Sequence, residues 1–300
     1  MLTLLILLQL LTHQTNFRLL PLYLGSEARH PGVGVVFFKA LLLLTLIKMI
    51  LLWPASATVM KYHDITLPGS IVGKILLAPA FLASVDINLF YGLGIIFLAA
   101  ALVIVPGYLI TGMFFWLTFN LYVINLPFAN GADLVLFMLA FWAVGMPAKP
   151  SACGESLSGV LRQSAHNLAV VLCRVQVVII YLVSGLDKLE SETWRSGVAF
   201  DYIVHMDTLY HPSFSGVFDS SAFHVALSWT TIAFELLFVV LIWIERSRLM
   251  ILAAGVCFHL FIGIVLSLPD FASVMIVSYI IFLKDDDIGR IKKLFAYFRP

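Results

Sequence analysis

Eight times between residues 32 and 284 the chain enters an apolar run long enough, or nearly so, to cross the hydrocarbon of a bilayer. The runs lie at 32 to 53, 88 to 105, 107 to 125, 131 to 147, 166 to 187, 222 to 244, 248 to 268 and 270 to 284. A spanning helix needs about 20 largely apolar residues. The pattern therefore predicts an all-α, polytopic integral membrane bundle of about eight transmembrane helices. Composition agrees: 61% of the 300 residues are hydrophobic and 12% charged, well outside the proportions of soluble domains. A net charge of +1 gives no reason to expect nucleic acid as a partner, and the lipid bilayer is the partner the runs demand. No linker or repeat divides the chain, so residues 32 to 284 read as one transmembrane domain.

The flanks read differently. Residues 1 to 31 hold a short apolar core with no basic residue before it and no small-residue cleavage pattern, which favours an interfacial segment over a signal peptide. The piece 71 to 83 is short and holds Lys74 and Pro79, so it reads as re-entrant or interfacial, with a ninth span as the alternative. With eight spans both termini share a side. That side collects eleven of the 18 Lys and Arg, while Lys61, Lys74, Lys188 and Arg195 fall opposite and Lys39, Lys48 and Arg174 lie within runs. The positive-inside rule then predicts that both termini, including a basic tail at 285 to 300, are cytoplasmic. Lys188 and the long connection 188 to 221 face outward.

Polar residues inside the runs fall on faces. In the fifth run Asn167, Arg174, Tyr181 and Lys188 recur every seven residues, which at about 100° per residue makes one stripe, with Gln176 off it. In the sixth, His224, Ser228, Thr231 and Glu235 share a face. In the seventh, His259 sits midway between Gly255 and Gly263 on a strip of bare backbone. A charge at the bilayer centre costs roughly 3 kcal/mol, so such groups meet one another or line a cavity. One reading has Arg174 paired with Glu235, and His259 donating to a backbone carbonyl or to Glu235, so that the polar groups lock the bundle. The other is a polar cavity between runs five, six and seven that opens at Lys188. At a span end a lysine also snorkels and Trp194 anchors, without further function. His205 and His211 are six apart and fit no metal-ligand spacing, so no metal is expected. Cys153, Cys173 and Cys257 form neither a disulfide framework nor a ligand set, and "GESLSG" at 154 to 159 lacks the spacing of a nucleophile elbow.

In order, "RVQVVIIYLVSGLDKLESETWRSGVAF" (174 to 200), "NGADLV" from Asn130, "FELLF" around Glu235, "FHLFIG" around His259 and "FASVMIVSYIIFL" from Phe271 resemble the horizontally transferred transmembrane (HTTM) domain family. That family includes the vitamin K-dependent gamma-carboxylases. The pattern residues are Arg174, Gln176, Tyr181, Ser184, Gly185, Lys188, Leu189, Trp194 and Gly197. The resemblance implies that Lys188 is a catalytic base acting on a reduced quinone of the vitamin K or menaquinol type, with oxygen and carbon dioxide as co-substrates and a secreted peptide or protein as partner. Arg174, Gln176, Tyr181, Trp194, Glu235, His259, Asn130 and Asp133 then shape the cavity. A lysine serves as a base only as its neutral amine, so such a site has to be dry or hold a neighbouring positive charge. Carboxylases place a second lysine before the catalytic one. Here Asp187 stands there, a carboxylate positioned to pair with Lys188, and the outward turn holds Asn130 to Asp133 where carboxylases have a histidine. The end at Pro300 suggests the short bacterial forms, including SdpB-like proteins of the inner membrane associated with maturing a secreted peptide. A quinol-linked enzyme, a non-carboxylating maturation or export factor, and a transporter are thus the three functions in view.

Overall fold

Local signals set where each helix starts and stops. The computed structural model describes residues 31–59, 70–146, 157–206, 214 and 220–287, and among these there is no strand. The N-terminal segment, His211, Cys153 and most of the basic tail lie outside the described residues. The chain begins with α1 (Pro31–Val59) and two short helices, α2 (Ile71–Leu76) and α3 (Ala78–Val85), broken at Leu77 with Pro79 in the first turn of α3. Next come α4 (Ile87–Val103), α5 (Tyr108–Ile124), α6 (Gly131–Ala143) and the long α7 (Leu157–Glu190). Two small helices follow, α8 (Glu192–Arg195) and α9 (Val198–Val204), then α10 (Ser221–Leu241), α11 (Glu245–Ile264) and α12 (Pro269–Ser278), which a 3-10 turn extends through Phe282.

Caps explain several of these limits. The Asp86 carboxylate accepts from the amides of Asn88 and Leu89 at 2.9 and 3.3 Å and starts α4. Pro106 and Gly107 separate α4 from α5. Asn130 and Asp133 form a capping box that starts α6, satisfying amides that the first turn leaves unpaired. Among the described residues four stretches, Gly32–Ser56, Gly159–Glu190, Ser221–Leu241 and Glu245–Ile264, are long and apolar enough to cross a membrane. The other four expected spans are shorter apolar helices, because caps and prolines trim them to 17 residues or fewer. The piece at 71 to 83 is broken into helices of six and eight residues, neither of which is long enough to be a candidate span by itself. It is the α2–α3 pair, fastened to α5 where Trp116 Nε1 and Asn120 Nδ2 donate to the Leu76 carbonyl at 2.9 and 3.0 Å.

The core runs through the bundle, from Phe37 and Phe38 on α1 across Phe114 and Leu139 to Val177, Phe238 and Val274. The outside is apolar as well: Val103 is 84% exposed and Leu109 75%. Contiguous apolar surface of this kind marks contact with lipid rather than water. The molecule is a helical integral membrane protein.

Cations within the bundle are bound to carbonyls or carboxylates of neighbouring helices. Lys39 donates to the carbonyls of Ala101 and Ile104 at 2.9 and 2.6 Å, closing the end of α4. Lys48 lies between Asp133 at 2.7 Å and Asp270 at 2.6 Å, tying α1 to the starts of α6 and α12. At the opposite end Arg248 meets Asp287 at 2.9 Å and the Phe282 carbonyl at 2.7 Å, and Lys284 meets Glu245 at 2.5 Å. Arg174 is not the partner of Glu235. Its Nε donates to the Ile281 carbonyl at 2.8 Å.

Candidate functional site

On α7 the spacing 181, 184, 185, 188 puts Tyr181, Ser184, Gly185 and Lys188 on one side of the helix. Gly185 lets α10 come close: a Cβ there would lie 2.9 Å from Leu236 Cδ2 and 3.2 Å from Glu235 Cβ. That approach delivers Glu235 to Lys188. The Lys188 ammonium donates to both Glu235 oxygens at 3.0 Å, and the Ser184 hydroxyl accepts from Lys188 while donating to Glu235 Oε1 at 3.1 Å. The side chains are 17% and 7% exposed, so the pair is nearly dry. The Trp194 ring covers it from α8, its centroid 5.0 Å from Lys188 Nζ. Asp187, the expected partner, points elsewhere and is exposed, because successive helical residues diverge by about 100°.

Below the pair lies a second polar group. Tyr181 Oη is 2.6 Å from His259 Nε2 and also hydrogen-bonded to the Tyr279 hydroxyl. Histidine therefore meets a phenol, not the carbonyl or carboxylate expected for it. The bare strip on α11 is what admits α12: a Cβ on Gly255 would collide with the Tyr279 ring, and one on Gly263 would lie 2.9 Å from Ala272 Cβ. His259 Nδ1 is buried with no partner among the described residues.

Both groups face one cavity of about 190 Å³. Its polar lining is Tyr181, Ser184, Lys188, Thr231, Glu235 and His259, and the rest is apolar, chiefly Trp194, Phe200, Phe258, Phe261 and Phe271. Of the residues singled out from sequence, Lys188, Tyr181, Trp194, Glu235 and His259 thus come together. Arg174, Gln176, Asn130 and Asp133 are not in the lining. Gln176 accepts from Trp142 Nε1 at 3.2 Å, while Asn130 and Asp133 cap α6 and Asp133 holds Lys48. The turn they form backs the cavity only indirectly, through Gly131 packed on Phe271. Sequence reasoning missed Ser184 as a site residue, although its place between Tyr181 and Lys188 on the stripe was the available signal. Tyr279 and the wall phenylalanines lie within the quoted motifs, but an aromatic residue there reads equally well as core or lipid-facing, so nothing singled them out as lining.

Comparison with known proteins gives one match: the family described as HTTM domain covers residues 35–286. No curated protein and no solved structure matches the chain.

Proposed function

The chain belongs to the HTTM domain family, and we propose that within it this protein is a quinol-linked membrane enzyme of carboxylase-like type. Lys188 is its base, and it modifies a secreted peptide or small molecule at the outer face of a bacterial inner membrane. The observation that carries this reading is the Lys188–Glu235 pair, held bidentately at 3.0 Å at the edge of an aromatic cavity rather than sealed inside packed protein. Proton transfer from the Lys188 ammonium to the Glu235 carboxylate yields a neutral amine and a neutral acid. It removes two opposite charges from a dry site and creates none, and Ser184, bonded to both, keeps the partners in register. The amine can then take a proton from a hydroxyl presented in the cavity.

A reduced quinone suits this lining. Trp194, Phe258, Phe261 and Phe271 offer faces and edges to a flat ring, while Lys188 with Glu235 and Tyr181 with His259 offer polar contacts. His259 Nδ1 is an unpartnered polar atom of that same wall. Typical ligand cavities measure about 300–1,000 Å³, so a cavity of about 190 Å³ accepts one small ring system and leaves a peptide outside. When bound, such a quinol would supply, with oxygen, the strong base that lets a substrate carbanion take up carbon dioxide.

A second reading rests on the same pair. Because it bridges α7 and α10, the broadest helix contact in the bundle, it also suits a clasp in a non-carboxylating, SdpB-like maturation or export factor. A transporter has less support, since the polar groups gather at one cavity and the ion pairs at the far end join only the start of α11 to the segment after α12. Mass spectrometry of a co-expressed secreted peptide, with labelled carbon dioxide, separates these. The enzyme reading expects label in the peptide that disappears in Lys188→Ala, and an unchanged product from that variant sinks it.

A further inference from the structure

The cavity's outer wall is built differently from the rest. Ser191 adopts an extended conformation and ends α7, after which α8 and α9 fold back over the opening. They are joined at Gly197, whose φ of +84° favours glycine, and whose missing Cβ would lie 2.7 Å from the Val225 amide. Trp194, Phe200 and Ile203 turn inward to line the cavity, with the Trp194 and Phe200 rings edge to face at 5.6 Å. Val198, Tyr202 and Met206, four residues apart, are exposed on the other side. Among the described residues, the backbone hydrogen bonds of 191 to 206 are all local to the segment or to Asp187. No ladder ties the segment to the bundle.

Gly197 packed against the α10 backbone and a few side-chain contacts hold the segment down. Lys188 lies under the Trp194 ring at 5.0 Å. Asp201 Oδ1 is 3.6 Å from Nδ1 of the buried His224 on α10. Ile203 and Val204 pack on Val265 and Leu266 in the turn after α11. The charged or titratable groups facing Lys188 are Glu235 on α10 and, across the cavity, His259 on α11 and Tyr181 on its own helix.

We propose that residues 191–206 are a lid over the cavity, held shut by the positive charge of Lys188 beneath Trp194 and released when that charge is lost. An aromatic face attracts a cation and not a neutral amine, so the contact depends on protonation. The proton transfer that makes Lys188 a base then also loosens the lid, coupling chemistry to opening of the site. This deepens the functional reading above by assigning the site its gate, and the charge-dependent part of the closure is independent of whether carboxylation occurs.

Hydrogen exchange of the full chain in lipid nanodiscs, without substrate, tests it. In Lys188→Met combined with Glu235→Leu, which strands no buried charge, and in Trp194→Leu, amides of 192–206 exchange on the order of threefold to tenfold faster than in the wild type, while α7 and α10 keep their protection. Lys188→Arg and Trp194→Phe, which keep the charge and the ring, retain the slow lid. Unchanged lid exchange in the first two variants overturns the proposal, as does a loosening shared by the whole bundle or one equally large in Lys188→Arg. Since no product is measured, a lid that fails this test is distinguishable from an enzyme that fails to carboxylate.

Discussion

Glu235 can sit in an apolar bundle only because Lys188 arrives with it. Removing one member of a buried pair leaves the other uncompensated and costs about 3–5 kcal/mol, whereas replacing both with apolar groups of similar size is often neutral. Glu235→Leu is therefore expected to lower thermal stability strongly, and Lys188→Met combined with Glu235→Leu to recover most of the loss. If the pair is also catalytic, the recovered double variant makes no labelled peptide. Full maturation by that variant would assign the pair to clasping alone. Lys188 was legible in the sequence through its seven-residue stripe and the motif around it, but its partner was not. Asp187 is adjacent in the chain and points away, and Arg174 lies fourteen positions along α7 from Lys188, about 21 Å by helical rise, so one carboxylate cannot serve both.

Helices meet here where glycine removes a side chain. Gly185 against Leu236 and Glu235 sets the α7–α10 distance that the ion pair needs. Gly185→Val pushes branched carbons into that contact, for which overpacking costs of roughly 1–3 kcal/mol are usual. Its melting temperature should fall and its labelled product vanish. Gly185→Ala should be milder, since the nearest atom it meets is the flexible end of Leu236. A Gly185→Val protein that melts like the wild type would show that the helices do not touch there. The strip around His259 was readable as bare backbone, and it proved to be the bed for Tyr279 and Ala272. The α8–α9 hairpin was not readable, because helices of four and seven residues are too short to display a period and the sequence offered only a loop.

Across the whole molecule, the fold class followed from long apolar runs, because lipid satisfies no backbone group and a helix satisfies its own. Which helices adjoin did not follow, since uniformly apolar faces look alike in sequence and rotation is set by packing. The scattered ions record that arrangement instead. Lys48 is the clearest case: it is nearly buried on α1 and holds the carboxylates that open α6 and α12, so three helices distant in sequence are fixed by one side chain. Its loss would leave two like charges facing each other with no cation between them. Lys48→Met is therefore expected to destabilise the bundle by about 3–5 kcal/mol, read as a fall in melting temperature in detergent. Asp133→Asn and Asp270→Asn added to it should restore much of the stability by removing the stranded charge. If Lys48→Met alone melts like the wild type, the buried ions are passengers in a bundle held by packing. If the triple variant recovers, charge compensation fixes the relative placement of α1, α6 and α12, and with it the Phe271 wall of the cavity.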